Sequence, residues 1–180
     1  MDFDEVVKGR RSIRRFRPDA VTESEVMDLI ELARCAPSSM NGQPWHFVLV
    51  RSEENKARLV EIKNRYCPPA KRAYSADFLQ RAAWIIVVCV DREKSCGREV
   101  ENAVSATTIL LLAAQHRGLG SVFLTAYSSE EPGLSDEIRA LLGIPAGAVP
   151  VTIVPLGRPD EVPGAKHLTP LQEMVHVEKF

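Results

Sequence analysis

The chain has 180 residues, 45% of them hydrophobic and 26% charged, which predicts one compact domain over residues 1-180. A formal net charge of -1 argues against a general electrostatic attraction to nucleic acid or to an anionic membrane surface. The longest apolar run, residues 82–90, is too short to span a bilayer, and residues 1–5 are acidic where a signal peptide would be basic. We therefore expect a cytoplasmic protein that binds neither nucleic acid nor membrane.

The hydrophobic patterns predict helices and strands in succession along the chain. Thr22 and Glu25 form a capping box in front of an amphipathic pattern, and Ser52 precedes a second one. Residues 68–81 carry no pattern that we interpret. In chain order, the predicted helices are residues 3–9, 22–36, 52–67, 98–117 and 134–142, and the predicted strands are residues 46–50, 84–90, 121–125 and 150–156.

The sequence of some of these elements also predicts where they lie in the fold. Residues 84–90 are apolar on both faces, as expected for a central strand. The helix over 98–117, which Gly118 should cap, has so little polar surface that it predicts the domain centre, a subunit interface or both. In the last strand, Pro150 and Pro155 should lie near the ends, where a missing N–H matters least. The tail, residues 174–180, alternates and predicts an extended segment.

The four cysteines and four histidines do not form a recognisable centre. There is no C-x-x-C pair, and no histidine lies at zinc-finger spacing from a cysteine. We therefore predict neither a metal site nor a cysteine nucleophile.

Two polar segments stand out against this ordinary background. The arginine segment, residues 10–17, has five arginines in eight positions close to the N-terminus. The polar loop, residues 36–47, places four hydrogen-bonding side chains within residues 38–43, between Pro37 and Pro44. On its own the loop has the composition of a turn, although it could also grip a flat polar ligand.

Together the two segments resemble the nitroreductase family of flavin enzymes. The chain has that family's R-x-S-x-R pattern and its P-S-S-x-N-x-Q-P-W loop, in the same order and at a similar separation. The resemblance continues through residues 118–120, 156–159 and 171–177, and so covers almost the whole chain. It implies an α+β fold with a mixed, largely antiparallel sheet flanked by helices, in a homodimer with FMN at the subunit interface.

The resemblance also implies a set of FMN-binding residues. One subunit would supply the arginine segment, and the partner would bring the polar loop to the same flavin, with Gln43 as a supporting group. Thr125 and Ala126 match by position the backbone that faces flavin N5. Relatives often have K-x-R near the C-terminus, where this chain has Lys166-His167-Leu168, so His167 would partly replace the arginine. The implied residues are Arg10, Arg11, Ser12, Arg14, Pro37, Ser38, Ser39, Asn41, Gln43, Thr125, Ala126, Lys166 and His167.

The chemistry implied by the resemblance belongs to FMN, with NADH or NADPH as the electron donor. Hydride would pass to flavin N5 and then to an electron-poor small-molecule acceptor, such as a nitroaromatic or a quinone, by a ping-pong mechanism. No catalytic side chain is needed, and Arg14 would tune the flavin from near N1 and O2. The chain also lacks a G-x-G-x-x-G fingerprint, so we expect no dinucleotide-binding domain.

Other interpretations remain open from the sequence alone. The arginine segment could bind nucleic acid, although the chain has no second basic stripe and only 6% aromatic residues. The same fold could also serve an FMN protein with a specialised or NAD(P)H-independent role, such as a dehalogenase, an enone reductase, or a flavin-sensing or accessory protein.

Overall fold

In the computed structural model, which describes residues 1–67 and 75–180, five α-helices surround a five-stranded sheet. The helices are α1 (Phe3–Gly9), α2 (Glu23–Ala33), α3 (Glu53–Arg65), α4 (Glu99–His116) and α5 (Pro132–Leu142). The strands are β1 (Trp45–Val50), β2 (Trp84–Asp91), β3 (Gly120–Ser121), β4 (Leu124–Thr125) and β5 (Ala148–Gly157), and short 3₁₀ turns occur at Ser39–Asn41, Asp77–Arg81 and Leu171–Glu173.

Two predicted helix boundaries, the start of α2 and the end of α4, are confirmed at their caps, whereas α2 ends at Ala33, three residues before its predicted end. The Thr22 hydroxyl accepts a hydrogen bond from the Glu25 N–H, and the Glu25 carboxylate accepts one from the Thr22 N–H, at 3.2 and 2.9 Å. Gly118 has a φ of +70° after α4, which only glycine adopts without strain, and the next N–H donates to the Ala114 carbonyl. Most of the uninterpreted region, residues 68–74, lies outside the described residues.

The sheet confirms the predicted α+β class. Its strand order is β1-β2-β5-β3, with β4 also on β5, and all pairs between named strands are antiparallel. Among residues 1–67 and 75–180, the one parallel pairing is an isolated bridge from Ser12 to Ser121, so the sheet is mixed only at this point.

The two prolines of β5 lie near its ends, as predicted, although the strand is longer than residues 150–156. β5 runs from Ala148 to Gly157, so Pro150 and Pro155 each lie two residues from an end. Pro150 lies at a bulge, where the register between β2 and β5 shifts.

Pro155 explains why the predicted strand over residues 121–125 is interrupted. Residues 121–125 do not form one strand, because β3 and β4 keep the same register on β5 but are interrupted between Ser121 and Leu124. The interruption falls opposite Pro155, which has no N–H to complete the ladder.

Helices cover both faces of the sheet, and each face has its own apolar core. One core packs α3 and α5 against Ile85, Val87 and Ile153. The other packs α2 and α4 against the alternate residues of the same strands. The buried helix predicted over 98–117 is α4, although Val100 on its outer side is 40% exposed. Across the described residues, no helix is both long and apolar enough to cross a membrane.

Two glycines set the position of the arginine segment on the sheet. Ile13 and Phe16 point inward and are buried, and a methyl group on Gly120 or Gly157 would come within 2.7 Å of Ile13 Cγ2 or 2.9 Å of Phe16 Cδ1. The backbone is fixed as well, because the Ile13 N–H donates to the Ser121 carbonyl at 3.0 Å. With these two side chains inside, the neighbouring arginines face outward.

The tail contains a turn, which differs from the extended segment predicted for it. Residues 174–180 are not extended throughout, because Glu178 has a φ of +63° and the Lys179 N–H donates to the Val177 carbonyl. The His176 and Phe180 rings stack at 4.2 Å. A segment without a neighbouring strand satisfies its backbone locally, which explains the turn.

We predict that Gly157→Ala lowers the free energy of unfolding by about 1–3 kcal/mol, because the added methyl overlaps the Phe16 ring. Chemical denaturation would measure the change. Gly147→Ala is the matched control, since a methyl there has no neighbour within 4 Å. Equal stabilities of the two variants would contradict the proposed contact between Phe16 and Gly157.

Candidate functional site

Three cations gather where α1 ends. The Arg11 guanidinium donates to the carbonyls of Gly164 (3.2 Å), Lys8 (2.7 Å) and Arg10 (3.1 Å), and Lys166 Nζ donates to the Val7 carbonyl at 2.8 Å. Burial lowers the pKa of Lys166, and the charges of Arg11 and Arg10 lower it further. The cluster of Arg10, Arg11 and Lys166 therefore repels itself, and a bound anion would relieve that repulsion.

Ion pairing divides the arginines of the segment into two groups. Arg15 and Arg17 are paired with Asp160 (3.8 Å) and Asp19 (3.0 Å). Arg10 and Arg14 form no ion pair with any described residue. The paired Arg15 and Arg17 are therefore surface charges, whereas Arg10 and Arg14 remain available to an anion.

Arg14 lines a cavity of about 370 Å³. Its wall also includes two aromatic side chains, two further arginines and two aspartates: Phe16, Phe78, Arg15, Arg81, Asp77 and Asp160. The volume is in the range of small-molecule sites, and the arginines outnumber the carboxylates by one beside the two rings. A different cavity, of about 330 Å³ beside Trp84, is lined by none of the residues predicted from the sequence.

Ser12 and Thr125 lie on the same edge of the sheet as the cation cluster. Ser12 bridges to Ser121 in β3, and Thr125 ends β4. The Ala126 N–H donates to the Val151 carbonyl at 2.8 Å, and Ala126 is fully buried. Because bonded and non-bonded pairs alternate in an antiparallel ladder, the Thr125 N–H and C=O point away from β5. Of the two predicted residues, Thr125 is thus the one that presents its backbone outward.

The polar loop is anchored to the first turn of α4 through one buried side chain, Asn102. Its Oδ1 accepts from the Ser39 N–H at 3.0 Å, its Nδ2 donates to the Ser95 carbonyl at 3.2 Å, and its own carbonyl accepts from Trp45 Nε1 at 2.8 Å. Sequence reasoning missed Asn102. In the sequence Asn102 is an ordinary residue of a predicted helix, far from the loop along the chain, and no local signal distinguishes it.

The loop has an unusual backbone. Met40, Asn41 and Gln43 have φ values of 51°, 54° and 45°, a region that residues other than glycine rarely adopt. Gly42 between them packs so closely that a methyl group would lie 2.2 Å from the Lys94 carbonyl. The Gln43 N–H donates to Ser38 Oγ at 3.0 Å. Backbone strain held in place by packing is common at ligand sites.

The two halves of the predicted site are far apart in one chain. The polar loop is bonded to Asn102, near the start of α4, whereas Gly9 approaches Gln115 near its end. Thirteen residues of helix separate these contacts, about 20 Å at 1.5 Å per residue. The sheet agrees, because Trp45 begins one edge strand while Ser12 pairs with the opposite edge. Within one chain the arginine segment and the loop therefore lie at opposite ends of α4 and at opposite edges of the sheet.

The remaining predicted residues have clear positions. Pro37 is exposed at the entry to the loop. His167 follows Lys166 in the chain, is exposed and makes no hydrogen bond to a described residue, so its contact with the phosphate stays a prediction. Asn64 and Arg65, which matched no motif, hold α3 to its neighbours through Asp77 and Glu137.

Comparison with known proteins identifies the family. The model of the nitroreductase family matches residues 7–158. The chain belongs to the nitroreductase family. A Methanothermobacter thermautotrophicus protein, provisionally named NADH dehydrogenase/NAD(P)H nitroreductase, is 34% identical over 182 residues, which cover 100% of this chain and 88% of that protein.

Two further relatives of this nitroreductase-family chain differ in their named activities. An iodotyrosine deiodinase from Thermotoga neapolitana is 27% identical over 172 residues, covering 87% of this chain and 88% of that protein. An FMN-dependent nitroreductase from Clostridium difficile R20291 has a solved structure that matches with a TM-score of 0.85 at 25% identity, covering 99% of this chain and all of that one. The family and fold expected from the two motifs are therefore confirmed.

We predict that Asn102→Ala loosens the polar loop, because the Ser39 N–H and the Ser95 carbonyl lose their partner. Loss of a buried hydrogen-bond partner costs about 1–3 kcal/mol of stability. Amide hydrogen exchange at Ser39 should accelerate more than exchange in β2. Thr108→Ala, at an exposed position of the same helix, is the control. An unchanged Ser39 exchange rate in Asn102→Ala would argue against this anchor.

Proposed function

We propose that this protein is an FMN-dependent oxidoreductase that takes electrons from NADH or NADPH and reduces an electron-poor small molecule, such as a nitroaromatic or a quinone. Its family and the names of its relatives support an oxidoreductase. The observation that supports the cofactor is the group of cations at one sheet edge, Arg10, Arg11 and Lys166, which form no ion pair with a carboxylate among the described residues.

The cation cluster fits a phosphate monoester. A phosphate has three acceptor oxygens and nearly two negative charges, and arginine forks match it in both respects. Arg10, Arg11 and Lys166 would hold the phosphate, with the Ser12 hydroxyl beside them. Each charge-assisted hydrogen bond contributes about 1.5–3 kcal/mol, so two or three of them could supply much of a sub-micromolar affinity.

The cavity that Arg14 lines would receive the flavin ring next to the phosphate. Phe16 and Phe78 supply apolar surface to this cavity. Its three arginines, with Arg15 paired to Asp160, leave net positive charge in the wall beside Asp77. Thr125 would offer its outward N–H to flavin N5. Ser38, Ser39 and Asn41 would approach the ring from the other side, with Gln43 bracing the loop and Pro37 stiffening its entry.

This arrangement requires two chains, and we infer a homodimer with FMN at the interface. The distance between the halves within one chain is the main support. The C-terminal segment, residues 162–180, is a second support, because it carries large apolar side chains that are more than half exposed in the single chain. These side chains are Val162, Leu168, Leu171, Met174, Val175, Val177 and Phe180.

When bound, FMN supplies the redox chemistry, accepting hydride from the nicotinamide and returning it to the acceptor. The protein residues bind and orient it. Arg14 stabilises negative charge near N1, Thr125 directs a donor to N5, and the polar loop limits access of water to the ring. With no second nucleotide site in the proposal, donor and acceptor share one face and bind in turn.

A second candidate function is reductive dehalogenation. The similarity to the iodotyrosine deiodinase motivates it, and the same flavin site would serve both reactions. The two functions can be distinguished by identifying which acceptor reoxidises the reduced protein.

The proposal is tested on the purified protein by its flavin spectrum, mass and kinetics. We expect about one FMN per subunit, a dimer, bleaching by NADH or NADPH without oxygen, and parallel double-reciprocal lines with a quinone or nitroaromatic. Reoxidation by iodotyrosine, with release of iodide, and not by quinones would favour the dehalogenase. A colourless protein that binds no added FMN would overturn both functions.

We predict that two defective variants complement each other. Arg10→Ala with Lys166→Ala damages the phosphate half, and Ser39→Ala with Asn41→Ala damages the loop half. After subunit exchange between equal amounts, half of the dimers are mixed, and each has one intact site, so FMN content should recover to about one quarter of the wild-type value. No recovery after verified exchange would show that both halves act within one chain.

We also predict that Arg14→Met makes the bound flavin harder to reduce. A charge about 4 Å from N1 is worth up to roughly 4 kcal/mol at an effective dielectric of about 20, before solvent screening. The midpoint potential should fall by some tens of millivolts, where about 30 mV corresponds to 1.4 kcal/mol. Arg17→Met, which removes a charge paired with Asp19, is the control. A normal potential together with weak FMN binding would place Arg14 at the phosphate instead.

A further inference from the structure

Lys63 is a buried lysine on α3 beside the proposed flavin edge. The residue is 8% exposed, and its Nζ donates to the Thr125 carbonyl at 2.7 Å. Its helix neighbours Leu59 and Ile62 are buried in the apolar core, so an aliphatic residue would suit the position as far as packing is concerned. Burying an ammonium group costs free energy unless the group is paired and hydrogen-bonded.

The Thr125 carbonyl belongs to a turn whose other polar groups are also fixed. The Thr125 hydroxyl donates to the Tyr127 carbonyl and accepts from the Tyr127 N–H, and the Ala126 N–H donates to Val151. The backbone N–H and C=O of Thr125 both point away from β5. The carbonyl accepts the hydrogen bond from Lys63, which leaves the N–H to face a ligand.

We propose that Lys63 is a positioning residue for the flavin. By holding the Thr125 carbonyl it fixes the turn 125–127, so that the Thr125 N–H faces N5, and it places a buried positive charge behind that edge. This inference rests on the proposed function for the identity of the ligand. The fixing of the turn is a property of the chain itself and can be tested without flavin.

The chain provides a matched control in Lys56. It lies seven residues earlier on the same helix, is 4% exposed, and donates to the Glu53 carboxylate at 3.0 Å rather than to the site. Lys63→Met and Lys56→Met each replace a buried ammonium with an uncharged chain of similar length. Both lose a hydrogen bond, but only Lys63→Met releases Thr125.

The first measurement uses FMN-free protein. Amide hydrogen exchange at Ala126 and Tyr127 should be at least about tenfold faster in Lys63→Met than in Lys56→Met, after correction for global stability. Equal rates would overturn the inference, whether or not the protein binds FMN. If the wild-type protein binds no flavin, the proposed function fails, and this exchange result still decides whether Lys63 fixes the turn.

The second measurement uses the flavin-loaded protein. Lys63→Met should change the ratio of reduced to oxidised flavin about tenfold towards the oxidised form, equivalent to about 30 mV, with Lys56→Met unchanged. Lys63→Gln should retain slow exchange, since its amide can donate, and still lower the potential. A Lys63→Met potential equal to that of Lys56→Met would overturn the role of the charge.

Discussion

The packing of Ile13 and Phe16 over two glycines is the contact on which the proposed site depends. A segment with five arginines in eight residues would normally be solvated and irregular. Here the inward side chains lock it to the sheet edge, where Gly120 and Gly157 leave room for them. The arginines on either side must then face outward. An apolar contact thus positions a site whose function is electrostatic.

Much of the fold could be predicted from the sequence, because its signals are local. The capping box at Thr22 and Glu25, the glycine after α4 and the apolar run of β2 each reflect a few neighbouring residues. The two motifs also identified the family. Their specificity comes from being paired, since the loop alone has the composition of an ordinary turn.

What the sequence could not provide depends on contacts between distant segments. Pro155 interrupts a different strand from its own, and this becomes visible only once the register is known. Asn102 and Lys63 resemble ordinary helix residues until the loop and the turn that they hold are placed next to them. Ala126 and Thr125 are indistinguishable by position, and only the ladder shows which one has its N–H directed outward.

The separation of the loop from the arginine segment has a consequence for how the protein behaves on dilution. In the proposed dimer every complete site draws on two chains, so flavin occupancy and subunit association are thermodynamically linked. Free FMN would strengthen the dimer, and a falling protein concentration would weaken the grip on FMN even at constant cofactor concentration. A scarce protein of this design would be largely empty, and its specific activity would rise with its own abundance.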